Sequence, residues 1–481
     1  MKPFLDAARP SGLQSTQKAG VRCGTMAKAV RSLTLGASVV AVGAATWLAG
    51  ASDAHAQAPA WLADRRFAEG PGIRTGNLEL HPGIGAEFGY DSNFFRRADA
   101  EDPVGALRFR ITPHFSVSTL GPQRRGEDAP PPDVEFRGDL GLSYDEYIGI
   151  SGSAADQSLM NEQRNLGGLL NLALKFFPGR PVFGSVHAGL ARTITPNNLG
   201  DTSLSFNRLN PNGGAEIGFA PGGGLFQFAF NYELQATVFE QSEYQDLTNL
   251  NHGFGTRGQW KFLPRSALFY NTTLGLINYP DGQEKTGSNP LRARIGYNGL
   301  VTNWLGILAA GGWGASFYKP DGQEDFDSFI GQIEARFYFT PNAANDPTAA
   351  SLLQSQMAVG FNRDFQDSFI GTYYEYNRGY VQFSYFFGGA FLLSVEGGGG
   401  AVVFPDVVVP LQAAWTDAKV DAQILGEYRF TDYFAVNGTL RYDHYFSNTN
   451  LDDVVGGGGP GGQGELQWQQ FQGFVGARLF Y

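Results

Sequence analysis

From Leu78 onward the chain alternates apolar and polar side chains. Leu78, Leu80, Pro82, Ile84, Ala86, Phe88 and Tyr90 take one parity, and Glu79, His81, Gly83, Gly85, Glu87, Gly89 and Asp91 the other. A period of two puts the two sets on opposite faces of a strand. The pattern returns at once, with Leu107, Phe109, Ile111, Pro113, Phe115 and Val117 set against Arg108, Arg110, Thr112, His114, Ser116 and Ser118. Eighteen such segments follow one another, beginning near residues 78, 106, 134, 165, 182, 208, 225, 252, 267, 290, 305, 329, 353, 374, 391, 417, 434 and 467. They run 10 to 14 residues, the length of a tilted membrane crossing, whereas soluble strands average about five or six. After the N-terminal region no apolar run reaches 18 residues, which excludes helical spans. A chain that satisfies its backbone in lipid without helices is left with the closed barrel. The predicted fold is all-β, a closed antiparallel transmembrane β-barrel of about 18 strands occupying residues 78–481.

The connections alternate as well. Tight turns follow the fourth, sixth, eighth, tenth and sixteenth segments: Pro178-Gly179-Arg180-Pro181, Pro221-Gly222-Gly223-Gly224, Leu263-Pro264-Arg265-Ser266, Thr302-Asn303-Trp304 and Thr431-Asp432-Tyr433. A longer polar loop is expected after every odd segment. Short turns on the periplasmic side and long loops outside are the asymmetry of bacterial barrels, so both termini are expected in the periplasm. Two even connections, 121–133 and 340–352, are longer and rich in Pro or Ala. Aromatics gather where strands meet the turns, at Phe176, Phe177, Phe219, Phe226, Trp260, Phe262, Phe337, Phe339, Phe430 and Phe434. That distribution suits a headgroup belt, with outer-membrane lipid as the surrounding partner.

The residues ahead of the strands read as an export signal. Lys28 and Arg31 precede an apolar stretch from Leu33 to Leu48, and Ala54-His55-Ala56 supplies a cleavage site. The expected division is a signal peptide at 1–56, with Met26 an alternative start, then a short periplasmic segment at 57–77. Removing 1–56 leaves 29 basic against 44 acidic groups, a net charge of −15, which argues against nucleic acid as a partner. It also removes Cys23, the one cysteine, so no thiol chemistry remains. Charged residues make up only 17% and aromatics 14%, with 65 glycines.

If the polar parity faces inward, the lumen receives fourteen basic residues: Arg108, Arg110, Arg137, Lys175, Arg208, Arg257, Lys261, Arg292, Arg294, Arg336, Lys419, Arg429, Arg441 and Arg478. It receives thirteen acidic ones: Glu79, Glu87, Asp91, Glu135, Asp139, Asp145, Glu216, Glu233, Glu334, Glu396, Asp421, Glu427 and Asp443. A one-residue slip would turn them to lipid at roughly 2–4 kcal/mol for each Arg or Lys near the midplane, so the register is well defined. The lumen sum is +1, and the remaining negative charge is assigned to loops, at Asp99, Glu101, Asp102, Asp321, Glu324, Asp325, Asp327, Asp452 and Asp453. The candidate pore-lining residues are Arg108, Arg110, Arg137, Asp139, Lys175, Glu233, Arg257, Arg292, Arg294, Glu334, Arg336, Asp421, Arg429, Arg441 and Asp443. A neutral, mixed wall with many Asn and Gln suits a hydrated polyhydroxylated solute, and it serves equally as a structural network of ion pairs.

Chemistry of other kinds is sparse. The histidines (His55, His81, His114, His187, His252, His444) stand singly, without metal or triad spacing, so no enzyme, cofactor or metal site is expected. Pro280-Asp281-Gly282-Gln283-Glu284 recurs as Pro320-Asp321-Gly322-Gln323-Glu324 in two predicted loops, a turn-forming sequence that also carries carboxylates suited to a cation.

The opening strand, with Phe88-Gly89-Tyr90-Asp91-Ser92-Asn93-Phe94-Phe95, resembles that of β-barrel porin families of Gram-negative outer membranes. The terminal Gly476-x-x-Leu479-x-Tyr481 resembles the signal read by the barrel assembly machinery, although Phe474 stands where a polar residue is usual. Some members of these families are similar to porins encoded beside polysaccharide synthesis and export systems. The resemblance therefore implies an outer-membrane exit for an exported polysaccharide, served by periplasmic export proteins. The alternatives are a general diffusion porin for small hydrophilic nutrients and a structural or adhesive barrel with a closed lumen.

Overall fold

In a computed structural model the described residues are 70–98, 102–121, 132–162, 165–196, 205–240, 242–280, 287–318, 324–339, 355–368, 372–406, 414–449 and 466–481. The signal-peptide expectation lies outside them, as do most of the 121–133 and 340–352 connections. A three-residue strand, β1 (Ile73–Thr75), turns back on the first barrel strand through Thr75↔Leu78. Eighteen strands then follow: β2 (Leu78–Asp91), β3 (Ala106–Thr119), β4 (Val134–Gly149), β5 (Asn165–Phe176), β6 (Val182–Pro196), β7 (Ser205–Phe219), β8 (Phe226–Phe239), β9 (Asn249–Leu263) and β10 (Ser266–Asn278) make the first half. The second half is β11 (Ser288–Leu300), β12 (Leu305–Tyr318), β13 (Phe326–Tyr338), β14 (Gln356–Asp367), β15 (Tyr373–Phe387), β16 (Phe391–Phe404), β17 (Trp415–Thr431), β18 (Phe434–Phe446) and β19 (Trp468–Phe480). Each pairs antiparallel with the next, and β19 pairs with β2 from Gln472↔Asp91 to Phe480↔Gly83. The ladder is a closed antiparallel β-barrel of eighteen strands, with starts within three residues of those read from the alternation.

The barrel is inside-out relative to a soluble one. Ile84, Phe88, Phe230, Ile295, Ile333 and Val475 stand 46–68% exposed on its outer face, while Glu87, Asp91, Arg110, Asp145, Glu427 and Arg478 are buried on the inner. Apolar outside and polar inside is the transmembrane arrangement. One rim carries the C-terminus and the short turns. There Tyr481 N donates to the Pro82 carbonyl oxygen at 2.9 Å. Around this turn rim the predicted aromatic belt faces outward, with Phe226 stacked on Trp260 and Phe430 close to Phe434. Outward-facing charges instead gather near the opposite, loop rim. They include the Arg192–Glu240 pair at 2.7 Å, the Arg363–Glu375 pair at 2.7 Å, and Asp327, which accepts from Trp313 Nε1. Asp327 therefore belongs to strand β13 and not to the loop assigned from sequence, because β13 begins three residues earlier than read.

Two connections also differ from expectation. A further tight turn at Gly388-Gly389-Ala390 joins β15 to β16, with φ of 56° and 74° at the glycines. Only residues with no Cβ take that conformation cheaply. On the loop rim, β14 and β15 are joined through residues 368–372 alone, where a long polar loop was expected.

The closing strands are held from inside. Arg478 on β19 reaches over Ala435 of β18 to grip Glu427 on β17, at 2.9 and 2.7 Å, with both side chains essentially buried. Removing one partner of such a pair leaves a buried charge and costs about 3–5 kcal/mol. Arg478→Met should therefore lower the urea midpoint for unfolding from micelles, by less than that equivalent because Arg429 stays on Glu427 at 3.2 Å. Equal midpoints for wild type and Arg478→Met would show the pair to be solvated.

Candidate functional site: the barrel lumen

All fifteen candidate pore-lining residues lie on the inner parity of their strands. Arg108 Nε and Arg110 Nε both donate to Asp145 Oδ1 at 2.7 Å, and Arg110 also stands 3.9 Å from Glu87. Arg137 binds Asp139 at 2.7 Å, and Ser116 Oγ donates to the same carboxylate. Lys175 faces Glu135 across the β4–β5 ladder. His187 Nε2 donates to Glu233 Oε1 at 2.9 Å, and Arg257 chelates Glu216 at 3.0 and 2.8 Å. Glu334 joins Arg336 and the Tyr380 hydroxyl. Arg429 shares Glu427 with Arg478, and Arg441 binds Asp443 at 2.6 Å. Arg292 and Arg294 converge on Asp364, at 3.0 and 2.6 Å.

Four inner charges escaped the sequence reading, one of them Asp367 at the end of β14, whose carboxylate takes the Ser288 and Tyr318 hydroxyls. Arg378 on β15 binds Asp421 at 3.1 Å and Glu396 at 3.2 Å, Asp364 sits on β14, and Asp417 on β17 takes the Trp415 indole and the Tyr445 hydroxyl. In β15 the charges Glu375 and Arg378 have opposite parity, and in β14 Arg363 and Asp364 are adjacent, so alternation alone assigns neither strand. Adding one Arg and three Asp to the predicted set brings the inner face of the described strands to fifteen basic and sixteen acidic groups. The predicted +1 becomes −1.

Many of these pairs skip a strand and cross it at a small residue. His187 on β6 meets Glu233 on β8 over Gly214 of β7, where a Cβ would come within 2.3 Å of the glutamate. Arg257 reaches Glu216 across β8, whose inner face there offers Ala229. Arg378 lies on Gly398 of β16, where a Cβ would stand 2.6 Å from its Nε. Arg108 approaches the Phe474 ring over Gly89, with its guanidinium carbon 5.7 Å from the centroid. Long side chains therefore lie flat against the wall instead of projecting into the lumen. Phe474, the departure from the terminal signal pattern, supplies one side of this contact.

The loop rim is narrowed from two sides. Beyond β2 the chain turns inward: Asn93 Nδ2 donates to the Gln469 carbonyl oxygen, and the Arg96 guanidinium lies 4.8 Å from the Trp468 ring centroid. Phe94, Phe95, Val104 and Tyr147 pack with Met160 of a helix, α1 (Ala154–Glu162), in a dry cluster. Ser153 and Asp156 form a reciprocal cap at the helix start, and Arg97 binds Asp156 at 2.8 Å. Half the circumference away, the end of β14 bends over β12 and β13, and Phe365 stacks on Phe326 at 4.1 Å beside Ile330. The repeated Pro-Asp-Gly-Gln-Glu segments fall almost entirely outside the described residues.

No family model matches the chain, and no curated protein matches it. Solved structures with a related course include a BenF-like porin from Pseudomonas fluorescens Pf-5, at 8% identity over 84% of this chain and 99% of that one, with a TM-score of 0.44. The outer membrane protein OpdK from Pseudomonas aeruginosa is 11% identical over 84% and 98%, with a TM-score of 0.41. A bacterial polysaccharide outer membrane secretin is 8% identical over 85% and 99%, with a TM-score of 0.31. Likeness of this degree is too slight to carry a conclusion about solute, and the barrel assignment rests on the closed ladder itself.

The Arg97 guanidinium and the Ser153 cap hold the Asp156 carboxyl down at about 2, against 3.8 for the free side chain. A depressed folded value means that the clamp contributes fully above 3.8 and is lost as pH falls through about 2. A nitroxide on Gln157→Cys should report an immobile helix from pH 7 to 4 and rising mobility below 3; the same label beside Asp156→Asn should be mobile at pH 7. Equal mobility in both proteins at neutral pH would remove the clamp from the account.

Proposed function

We propose that the protein is an outer-membrane channel for a hydrated polar solute of little net charge, and that an exported polysaccharide is the solute which fits it best. The supporting observation is the near-balance of charge on the inner face, fifteen basic against sixteen acidic groups, largely paired within the wall. Such a wall offers hydrogen-bonding groups throughout yet no strong field to select or trap ions. Eighteen strands enclose an interior wide enough for water and a chain-like solute. In this reading the fifteen inner-face candidates line the permeation path, the turn rim and both termini face the periplasm, and the loop rim faces outward. Residues 1–56 direct export, the terminal strand engages the barrel assembly machinery, and periplasmic export proteins deliver the polymer. No catalytic role is assigned. A general diffusion porin for small hydrophilic nutrients is the second reading, favoured by long charged side chains that lie along the wall.

Planar-bilayer recording of residues 57–481 should give discrete steps with a reversal potential close to zero in a KCl gradient. Asp421→Asn should shift that potential toward anion selectivity, because it removes one carboxylate from a nearly balanced wall and leaves Arg378 with fewer partners. Neutral oligosaccharide fragments added on the turn side should produce resolved current blockades, whereas a nutrient porin would pass small sugars in liposome swelling without them. A barrel silent in all these assays would be structural and not a channel.

A further inference from the structure

The β13–β14 ladder is the shortest between neighbours among the eighteen barrel strands, running only from Gly331↔Arg363 to Tyr338↔Gln356. Above it both chains remain extended, Phe326–Ile330 on one side and Asp364–Asp367 on the other, yet they do not pair. The upper end of β14 has passed to the inside of β13. Its outward parity shows this: Val359 and Phe361 stand 42% and 45% exposed to the exterior, whereas Phe365, of the same parity, is fully buried on the inner side. There its ring packs where Gly314 of β12 leaves room, since a Cβ on Gly314 would stand 2.7 Å from it, and the Arg292 guanidinium lies 4.1 Å from its centroid. Asp364 is gripped by Arg292 and Arg294, while Asp367 accepts from Ser288 Oγ at 2.9 Å and from the Tyr318 hydroxyl at 2.9 Å. Arg363 Nε donates to the Phe329 carbonyl oxygen at 2.9 Å, in the place that a β14 amide would hold.

We propose that the β14–β15 hairpin end is a flap of the barrel wall with two seats: the inward one described, latched through Asp364, and an outward one in which the β13–β14 ladder zips to the loop rim. This rests on the channel reading for its consequence but not for its motion. Continuing the observed register pairs Ile330 with Asp364, Phe329 with Phe365 and Ser328 with Gln366. Phe365 then joins Phe329, itself 53% exposed on the outer face, as a cross-strand aromatic pair toward lipid. The alternation of β14 thus matches the outward seat, and the ion pairs match the inward one. The hairpin itself stays paired to Asp367↔Tyr373 in the inward seat. Where β15 must flex, Gly379 faces the run Gly397-Gly398-Gly399-Gly400 of β16, which resists bending least. Moving outward, the flap would clear one of the two elements that narrow the mouth.

The test uses Ser328→Cys with Gln366→Cys in a chain whose native Cys23 is replaced by Ser. Opposite residues of a zipped ladder stand within disulfide reach. With Asp364→Asn the rate of cross-link formation should rise about tenfold or more, because two charge-assisted contacts are weakened, and step conductance should rise with it. Gly314→Val, which evicts Phe365 without touching a charge, should act in the same direction, and Asp364→Glu should stay near the background. Heat-modifiable migration on gels confirms that each variant is folded. Cross-linking no faster in Asp364→Asn and Gly314→Val than in the parent would overturn the flap. Faster cross-linking without conductance in any variant would support the flap and overturn the channel reading.

Discussion

At membrane depth no water is available to an unpaired amide, so each backbone donor and acceptor needs a partner within the protein. Every other feature of this barrel answers to that requirement. It forces the strands into one closed ladder, places the first and last strands side by side, and makes the β2–β19 junction as necessary as any hairpin. It also explains the cluster around that junction, where Asp91 accepts from Gln470 and Gln472 on β19 and from the Asn93 amide. Even the β13–β14 gap obeys the rule, because the Phe329 carbonyl left without a ladder partner takes a guanidinium instead.

The second constraint is volume. A wall carrying thirty-one inner charges has to put long side chains somewhere, and projection into the bore would fill it. Here the solution is a division of labour between neighbouring strands: one supplies a cation, the next a glycine or alanine, and the one after that a carboxylate. The glycine content is therefore tied to the charge content. Each crossing pair also joins three strands through side chains, in addition to the backbone bonds that join them two at a time.

The fold was legible because alternation with a period of two survives in nearly every strand, and because short turns contain residues that can do little else. What failed to show in the sequence failed for particular reasons. Arg378 lies in Tyr373-Tyr374-Glu375-Tyr376-Asn377-Arg378, where tyrosines occupy both faces and charges both parities. The strand-skipping pairs were invisible because register across three strands is not encoded in the spacing within any one. The inward course of β14 was hidden most completely, since its sequence alternates as though Phe365 faced lipid. Local pattern describes a strand's preferred faces, and only the packing of Phe326, Ile330 and Gly314 shows that one face has been turned over.

The short β13–β14 ladder has a mechanical meaning. A closed barrel in a bilayer is a hoop, and lateral pressure from the surrounding lipid loads every seam of that hoop alike. Seventeen seams share the load along longer ladders, while this one carries it on eight residue pairs placed entirely toward the turn rim. The wall is consequently stiff around most of its girth and compliant at one meridian, and compliant there only in the leaflet nearest the loops. Changes in packing of that leaflet would be felt by this protein at a single place.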